Sequence, residues 1–317
     1  DKGYEIVNGA RIKSWKKGGH GLQTFREVLQ NSSNPGFVEI GRRLGKDKLY
    51  EYVKKFGLTE KTGVDLPGES KGIMFDYDSF NELEQATVSF GQGISVTPIQ
   101  LVRAICACVN GGKLYQPYIG DKIINSTTKD VVYEKKPELL RRVISEETSK
   151  KVRDALETVV TDGGGKNAYI DGYRIGGKTG TAQKAVNGSY VDGGYILSFV
   201  GVAPINDPKI VLYVAMDNPK NCVQYGGTTV APIARKMLMD ILPSMGIEKV
   251  TSMRRKTYGP TDVKSVKVEN YIGKSKKEIS NPELKFKYVG DGDEVIDQLP
   301  RVGEYVEAGS TIVIMLG

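Results

Sequence analysis

Residues 172–190 decide between two incompatible folds for this 317-residue chain. Gly172-Tyr173-Arg174-Ile175-Gly176-Gly177-Lys178-Thr179 satisfies the phosphate-loop pattern G-x-x-x-x-G-K-[ST]. Such a loop needs a buried apolar strand before it and a helix after it, because the N–H groups of that helix help to hold the phosphates. Here the approach is Gly163-Gly164-Gly165-Lys166-Asn167-Ala168-Tyr169-Ile170-Asp171, which is polar, glycine-rich and reads as a flexible loop. The exit, Gln183-Lys184-Ala185-Val186-Asn187-Gly188-Ser189-Tyr190, lacks a helical apolar period and carries the hairpin signal Asn187-Gly188. The segment therefore reads as strand, hairpin, strand, and the phosphate-loop reading fails on context.

The same strand gathers chemistry. Lys178 supplies a cation, Thr179 and Thr181 supply hydroxyls, and Gly180 lets another chain approach the backbone. Serine acyl transfer uses such parts to hold a carboxylate and a developing oxyanion. A second triplet, Ser32-Ser33-Asn34, has the form S-x-N and lies far upstream. Taken alone it is weak, since Ser and Asn crowd turns. Its plainer reading is a helix end: Phe25, Val28 and Leu29 are spaced for one apolar face, and Pro35-Gly36 breaks the helix.

Six segments occur in a fixed order. They are Gly18-Gly19-His20-Gly21, Ser32-Ser33-Asn34, Thr62-Gly63-Val64-Asp65-Leu66-Pro67-Gly68-Glu69, Gly91-Gln92-Gly93-Ile94-Ser95-Val96-Thr97-Pro98, Gly177-Lys178-Thr179-Gly180-Thr181-Ala182 and Tyr225-Gly226-Gly227-Thr228. With these, residues 1–250 resemble the transpeptidase domain of class B penicillin-binding proteins, the sporulation type in particular. The resemblance implies a D,D-transpeptidase that cross-links peptidoglycan stem peptides through a serine acyl-enzyme, serves spore cortex synthesis and is a target of β-lactam antibiotics. It assigns Ser32 to proton relay toward the leaving group, and Asn34 to the base lysine and the substrate amide. Lys178 would hold the base neutral and draw in the terminal carboxylate. Thr179 and Thr181 would bind that carboxylate, the Thr181 N–H would complete an oxyanion hole, and Ser33, Gly180 and Gln183 would line the substrate or β-lactam. The alternatives within the same fold are a catalytically silent wall-binding scaffold and a β-lactam sensor or β-lactamase.

One departure is large. The family nucleophile sits in S-x-x-K, well upstream of S-x-N. Ser14-Trp15-Lys16-Lys17 lies too near Ser32 and runs into Gly18-Gly19, so no helix can carry it. Ser126-Thr127-Thr128-Lys129 comes after S-x-N in a turn-like stretch. Both are surface decoys on this reading. The nucleophile, its base lysine and a membrane-anchoring helix are expected upstream of Asp1, in an extracytoplasmic protein working with a membrane glycosyltransferase of the shape, division or sporulation type.

Composition fits this picture. The formal charge of +7 is spread along the chain without aromatic–basic interleaving, so no nucleic-acid partner is expected. No apolar run reaches membrane-spanning length. Cys106, Cys108 and Cys222 form neither a metal nor a disulfide framework and read as buried free thiols. No cofactor is expected. The resemblance implies that sporulation-type relatives can carry Cys at positions matching Ser14 and Ser33, which with His20 and a carboxylate would make a zinc site. Here both are serine, and a neutral hydroxyl is a poor zinc ligand. His20 is the only candidate ligand; it is expected to be a loop histidine bonded to backbone, with no zinc bound.

Patterning gives an α+β fold with helices packed on an antiparallel sheet. Helices are expected at 25–29, 38–44, 49–56, 98–109, 145–160 and 231–242, and strands at 173–182, 195–203 and 210–216. In the fourth helix Ile99, Leu101, Val102, Ile105 and Cys106 should form the buried face. A charged linker is expected at 251–263. Residues 264–317 then resemble a PASTA module, a small β-α-β-β wall-associated domain, with Gln298-Leu299-Pro300-Arg301-Val302-Gly303 and Gly309-Ser310-Thr311 in place of its Q-x-P-x-x-G and G-s-t elements.

Overall fold

The computed structural model describes residues 1–186, 189–250, 265–303 and 305–317. The Asn187-Gly188 turn and the 251–263 linker lie outside the described residues.

The chain opens with a hairpin of β1 (Tyr4–Val7) and β2 (Ala10–Lys13), closed at Asn8-Gly9, both with positive φ. Its inward residues Val7 and Ile12 pack with Val38 and Ala86. Next come α1 (Phe25–Asn31), α2 (Asn34–Leu44), α3 (Lys46–Lys55), α4 (Glu82–Ser89) and α5 (Pro98–Val109). α1 starts at a capping box in which Thr24 and Glu27 satisfy each other's backbone N–H groups. Its expected apolar face is only partly correct: Val28 is buried, but Phe25 is 71% exposed. α2 begins four residues before the expected start. Pro35 and Gly36, expected as the breaker after α1, instead form the first turn of α2, where a missing N–H costs nothing.

α5 has the expected ends, set by a Thr97/Gln100 capping box and Pro98. Its deepest face differs from the expected one. Gln100, Arg103, Ala104 and Ala107 are buried, while Ile99, Leu101, Val102, Ile105 and Cys106 are only partly so. The polar members are tolerated because backbone carbonyls satisfy them. Gln100 donates to the carbonyls of Glu60 (2.6 Å) and Lys71 (3.0 Å), and Arg103 to that of Gly57 (2.7 Å). Cys106, Cys108 and Cys222 are free thiols, and burial pushes Cys108 up to about 12.

Four short strands follow: β3 (Lys113–Gln116), β4 (Lys122–Ile124), β5 (Val131–Glu134) and β6 (Glu138–Arg142), paired β3–β6 and β4–β5. α6 (Glu146–Thr161) then leads into the central sheet of β7 (Gly176–Val186), β8 (Ser189–Ala203) and β9 (Ile210–Asp217), antiparallel and in the order β7-β8-β9. β7 starts later than expected, because Gly172, at φ +83°, turns the chain and brings Tyr173 into a bridge with Ile170. α7 (Gly226–Thr229) and α8 (Ala231–Ser244) close this part.

β8 is apolar on both faces because both are covered. Leu197, Phe199 and Ala203 join Ala234, Leu238 and Leu242 of α8, whereas Val202 joins Val109 and Leu156 of α5 and α6. Among the described residues no helix is long and apolar enough to cross a membrane.

The last residues have a core of their own: Val266, Val268, Tyr271, Ile279, Leu284, Val295, Ile312, Ile314 and Leu316. β10 (Ser265–Lys267) pairs with β13 (Tyr305–Glu307), and β14 (Thr311–Leu316) lies between β11 (Lys285–Val289, parallel) and β12 (Val295–Leu299, antiparallel). The expected helix is a single 3₁₀ turn at Lys276–Glu278, and the described strands outnumber those of a β-α-β-β order. Gln298 is buried and fastens this core: its Oε1 accepts from the Tyr271 N–H at 2.7 Å and its Nε2 donates to the Glu269 carbonyl at 2.9 Å.

Candidate active site at the edge of the central sheet

Among the described residues β7 is an edge strand, with no strand partner on one side of its backbone within the sheet. Lys178 lies on it, part-buried, and its Nζ donates to the Ser32 hydroxyl at 2.8 Å and to the Thr179 carbonyl at 2.9 Å. Residues 146 positions apart thus meet. Burial draws the Lys178 ammonium down to about 8.

Ser32 reaches Lys178 because of the joint between α1 and α2. It ends α1 in the left-handed region, at φ 53°, a conformation uncommon for a residue with a Cβ. Its N–H returns to the Leu29 carbonyl and that of Ser33 to the Val28 carbonyl. Ser33 immediately caps α2, accepting from the Gly36 N–H at 3.2 Å. Ser33 is fully buried and donates its hydroxyl to Asp1 Oδ2 at 2.7 Å, so it does not line the site as expected of it. Asn34 turns its amide Nδ2 to the Lys13 carbonyl, 3.1 Å away.

The rest of the motif is held from the far side. Thr179 is buried. Thr181 Oγ1 accepts from the Gly226 N–H at 3.1 Å, joining Lys178-Thr179-Gly180-Thr181 to Tyr225-Gly226-Gly227-Thr228. A Cβ on Gly226 would lie 2.4 Å from the Gly180 carbonyl oxygen, so only glycine fits there. Gln183 lies exposed farther along β7, in register with Tyr195. The approach that reads as a flexible loop is in fact pinned: Gly164 N–H donates to the Gln30 carbonyl, and Asn167 Nδ2 to that of Gly227 at 2.9 Å.

Sequence reasoning missed Trp15. Its indole Nε1 donates to the Asn31 carbonyl at 2.8 Å, and its ring lies 6.0 Å from that of Tyr225 and 5.3 Å, edge-on, from that of His20. The available signal was its place as the one tryptophan, in a lysine- and glycine-rich stretch. His20 differs from expectation too. Its Nε2 is buried without a partner instead of bonding backbone, and burial followed by nearby Lys16 lowers its pKa. Ser14, like Ser33, donates to Asp1 Oδ2, at 3.0 Å. Among the described residues no three His, Cys, Asp or Glu side chains cluster as a metal site. Ser126 sits in a turn in which Asn125 Oδ1 accepts from the N–H groups of Thr127 and Thr128, with no helix to bring Lys129 beside it.

Comparison with known proteins agrees with this geometry. Residues 1–239 match the family model of the penicillin binding protein transpeptidase domain. The chain is 49% identical to stage V sporulation protein D of Bacillus subtilis over 318 aligned residues, covering 100% of this chain and 49% of that protein. It is 36% identical to a peptidoglycan D,D-transpeptidase FtsI homolog of Mesostigma viride, over 68% of this chain and 39% of that protein. The chain thus spans about half, or less, of the length of these relatives. Among solved structures, the transpeptidase domain of Burkholderia pseudomallei penicillin-binding protein 3 superposes with a TM-score of 0.70 at 33% identity, covering 80% of this chain and 72% of that one. Penicillin-binding protein 3 of Mycobacterium tuberculosis in complex with ampicillin gives 0.72 at 29% identity, covering 81% and 58%.

Proposed function

The chain belongs to the penicillin-binding protein transpeptidase family, and from that premise we propose that it is the C-terminal part of a peptidoglycan D,D-transpeptidase serving spore cortex synthesis. The observation that carries the reading is the bond between Lys178 Nζ and Ser32 Oγ beside an open sheet edge. A D-alanyl-D-alanine stem peptide, or a β-lactam in its place, would lie along β7 as an added strand, with Gly180 leaving room for its backbone. Lys178 supplies the positive potential that draws in the terminal carboxylate, and Thr179 and Thr181 orient it. The Thr181 N–H forms part of the oxyanion hole. Ser32 passes a proton toward the leaving group, Asn34 meets the substrate amide once the site is assembled, and Gln183 contacts the outer part of the ligand. Ser33 serves by capping α2.

The acyl transfer needs a serine nucleophile and a lysine base in S-x-x-K, and we place them upstream of Asp1, together with a membrane anchor. The protein is then extracytoplasmic and works beside a membrane glycosyltransferase. Residues 264–317 are a PASTA module joined through 251–263, with a structural or docking role.

A fluorescent penicillin tests this. The polypeptide extended upstream to include S-x-x-K should be labelled covalently, and the 317-residue chain should not. Labelling of Ser14 or Ser126 would show the nucleophile misplaced.

A further inference from the structure

We propose that Trp15 is a positioning residue that sets the Ser32 hydroxyl against Lys178 by holding the end of α1 through the Asn31 carbonyl. The kinetic consequence rests on the function proposed above; the positioning itself does not.

The last carbonyls of a helix have no partner within it. At the end of α1 the Asn31 carbonyl takes the Trp15 indole N–H at 2.8 Å. The next residue is Ser32, with its left-handed backbone and its hydroxyl on Lys178. A left-handed residue bearing a Cβ persists only where its surroundings over-determine it. At Ser32 those constraints are its own N–H to Leu29, the capping of α2 by Ser33, and the clamp on Asn31. Besides Lys178 on the hydroxyl itself, the clamp is the one constraint among these that comes from a side chain outside the two helices.

Trp15 is itself held from two sides, edge-on to His20 and tilted against Tyr225, which precedes the Gly226 that bonds Thr181. The indole therefore connects the S-x-N joint to the segment that grips β7 from the other side. It is 56% exposed, too open to act as a core side chain. A surface tryptophan that spends its N–H on the residue before Ser32 contributes by direction rather than by buried area.

Trp15→Phe keeps the ring and removes the donor. Hydrogen exchange on the 317-residue chain reads the clamp without any turnover. In the variant the Ser32 and Ser33 amides should exchange roughly tenfold faster, the change one lost hydrogen bond gives, while α5 amides keep their protection. His20→Ala, which keeps the indole donor and removes one of the two rings beside it, should raise Ser32 exchange by clearly less than Trp15→Phe does. Unchanged Ser32 and Ser33 protection in Trp15→Phe overturns the proposal. So does loss of protection that spreads to α5, since Trp15 would then be a general structural support.

In the upstream-extended protein, Trp15→Phe should slow penicillin acylation about tenfold with Ser32 present and less than about twofold in a Ser32→Ala background, because the effect passes through Ser32. Equal losses in both backgrounds also overturn the proposal. If the extended wild-type protein takes no penicillin, the functional reading fails instead, and the exchange result still decides the positioning.

Discussion

Lys178 carries opposed demands in a single side chain. Its pKa is drawn to about 8 by burial, below the ordinary lysine value of 10.5. Folded and unfolded chains both hold the proton below about 8, so the full cost of burying the cation is present there. Between about 8 and the ordinary value the unfolded chain is still protonated while the folded one is not, and stability rises with pH across that window. Lys178→Met should therefore raise the melting temperature at neutral pH, by about 2–4 °C per kcal/mol of relieved desolvation, and the gain should shrink as pH climbs past 8. Thermal melts at several pH values check this; a variant less stable at neutral pH would contradict it. The same cation is what a carboxylate ligand needs. Lys178→Ala in the upstream-extended protein should slow acylation by about 10²–10³, as loss of an electrostatic group in a water-poor site does. The wild-type rate should fall as pH rises through about 8, and a rate level across that range would remove Lys178 from the reaction.

At the scale of elements, the site is where three close approaches coincide, and each depends on glycine. A Cβ on Gly226 would meet the carbonyl oxygens of Gly180 at 2.4 Å and Ser198 at 2.7 Å, both backbone and unable to yield. A Cβ on Gly180 would meet only the Ser198 side chain, whose hydroxyl, at 2.5 Å, can rotate away. Gly226→Ala should lower the urea midpoint by the equivalent of about 1–3 kcal/mol, and Gly180→Ala by clearly less. Equal costs would mean that α7 moves freely over β7. Much of this level was legible in the chain. The ends of α5 were set by Thr97, Pro98 and Asn110, and the antiparallel pairing of β7 with the strand after it followed from rejecting the phosphate loop. The β1–β2 hairpin was missed although Asn8-Gly9 is the same turn signal as Asn187-Gly188, because strands of four residues leave little alternation to see. The polar face of α5 was illegible for a different reason. Gln100 and Arg103 are buried by carbonyls from Gly57, Glu60 and Lys71, partners that the local pattern cannot reveal.

Across the whole molecule, motif order singled out Ser32, Lys178 and Thr181 as candidates, but not the geometry that joins them. Nothing in Ser32-Ser33-Asn34 tells that the middle residue is the buried cap and that the first one turns left-handed toward β7. That division of labour arises from helix termini and shows only once both helices are placed. Trp15 was passed over because its partner is a backbone carbonyl, invisible in sequence. The tail was more readable, since its alternation and its Gln298 motif mark a small core of their own. That core, from Val266 to Leu316, shares no residue with the one built on Leu197, Phe199 and Leu238. Each body thus has the buried apolar contacts to fold without the other. Ending the chain at Gly259 should leave the remaining transpeptidase part with a melting temperature within about 2 °C of the parent's transition for that part. Residues 264–317 expressed alone should melt cooperatively, and Gln298→Ala should destabilise them by about 1–3 kcal/mol, because the Tyr271 N–H and the Glu269 carbonyl would lose their buried partner. Calorimetry of the three proteins decides it: a collapse of the transpeptidase transition on truncation would show that the tail completes the main core, and a non-cooperative tail would show that its own core is insufficient.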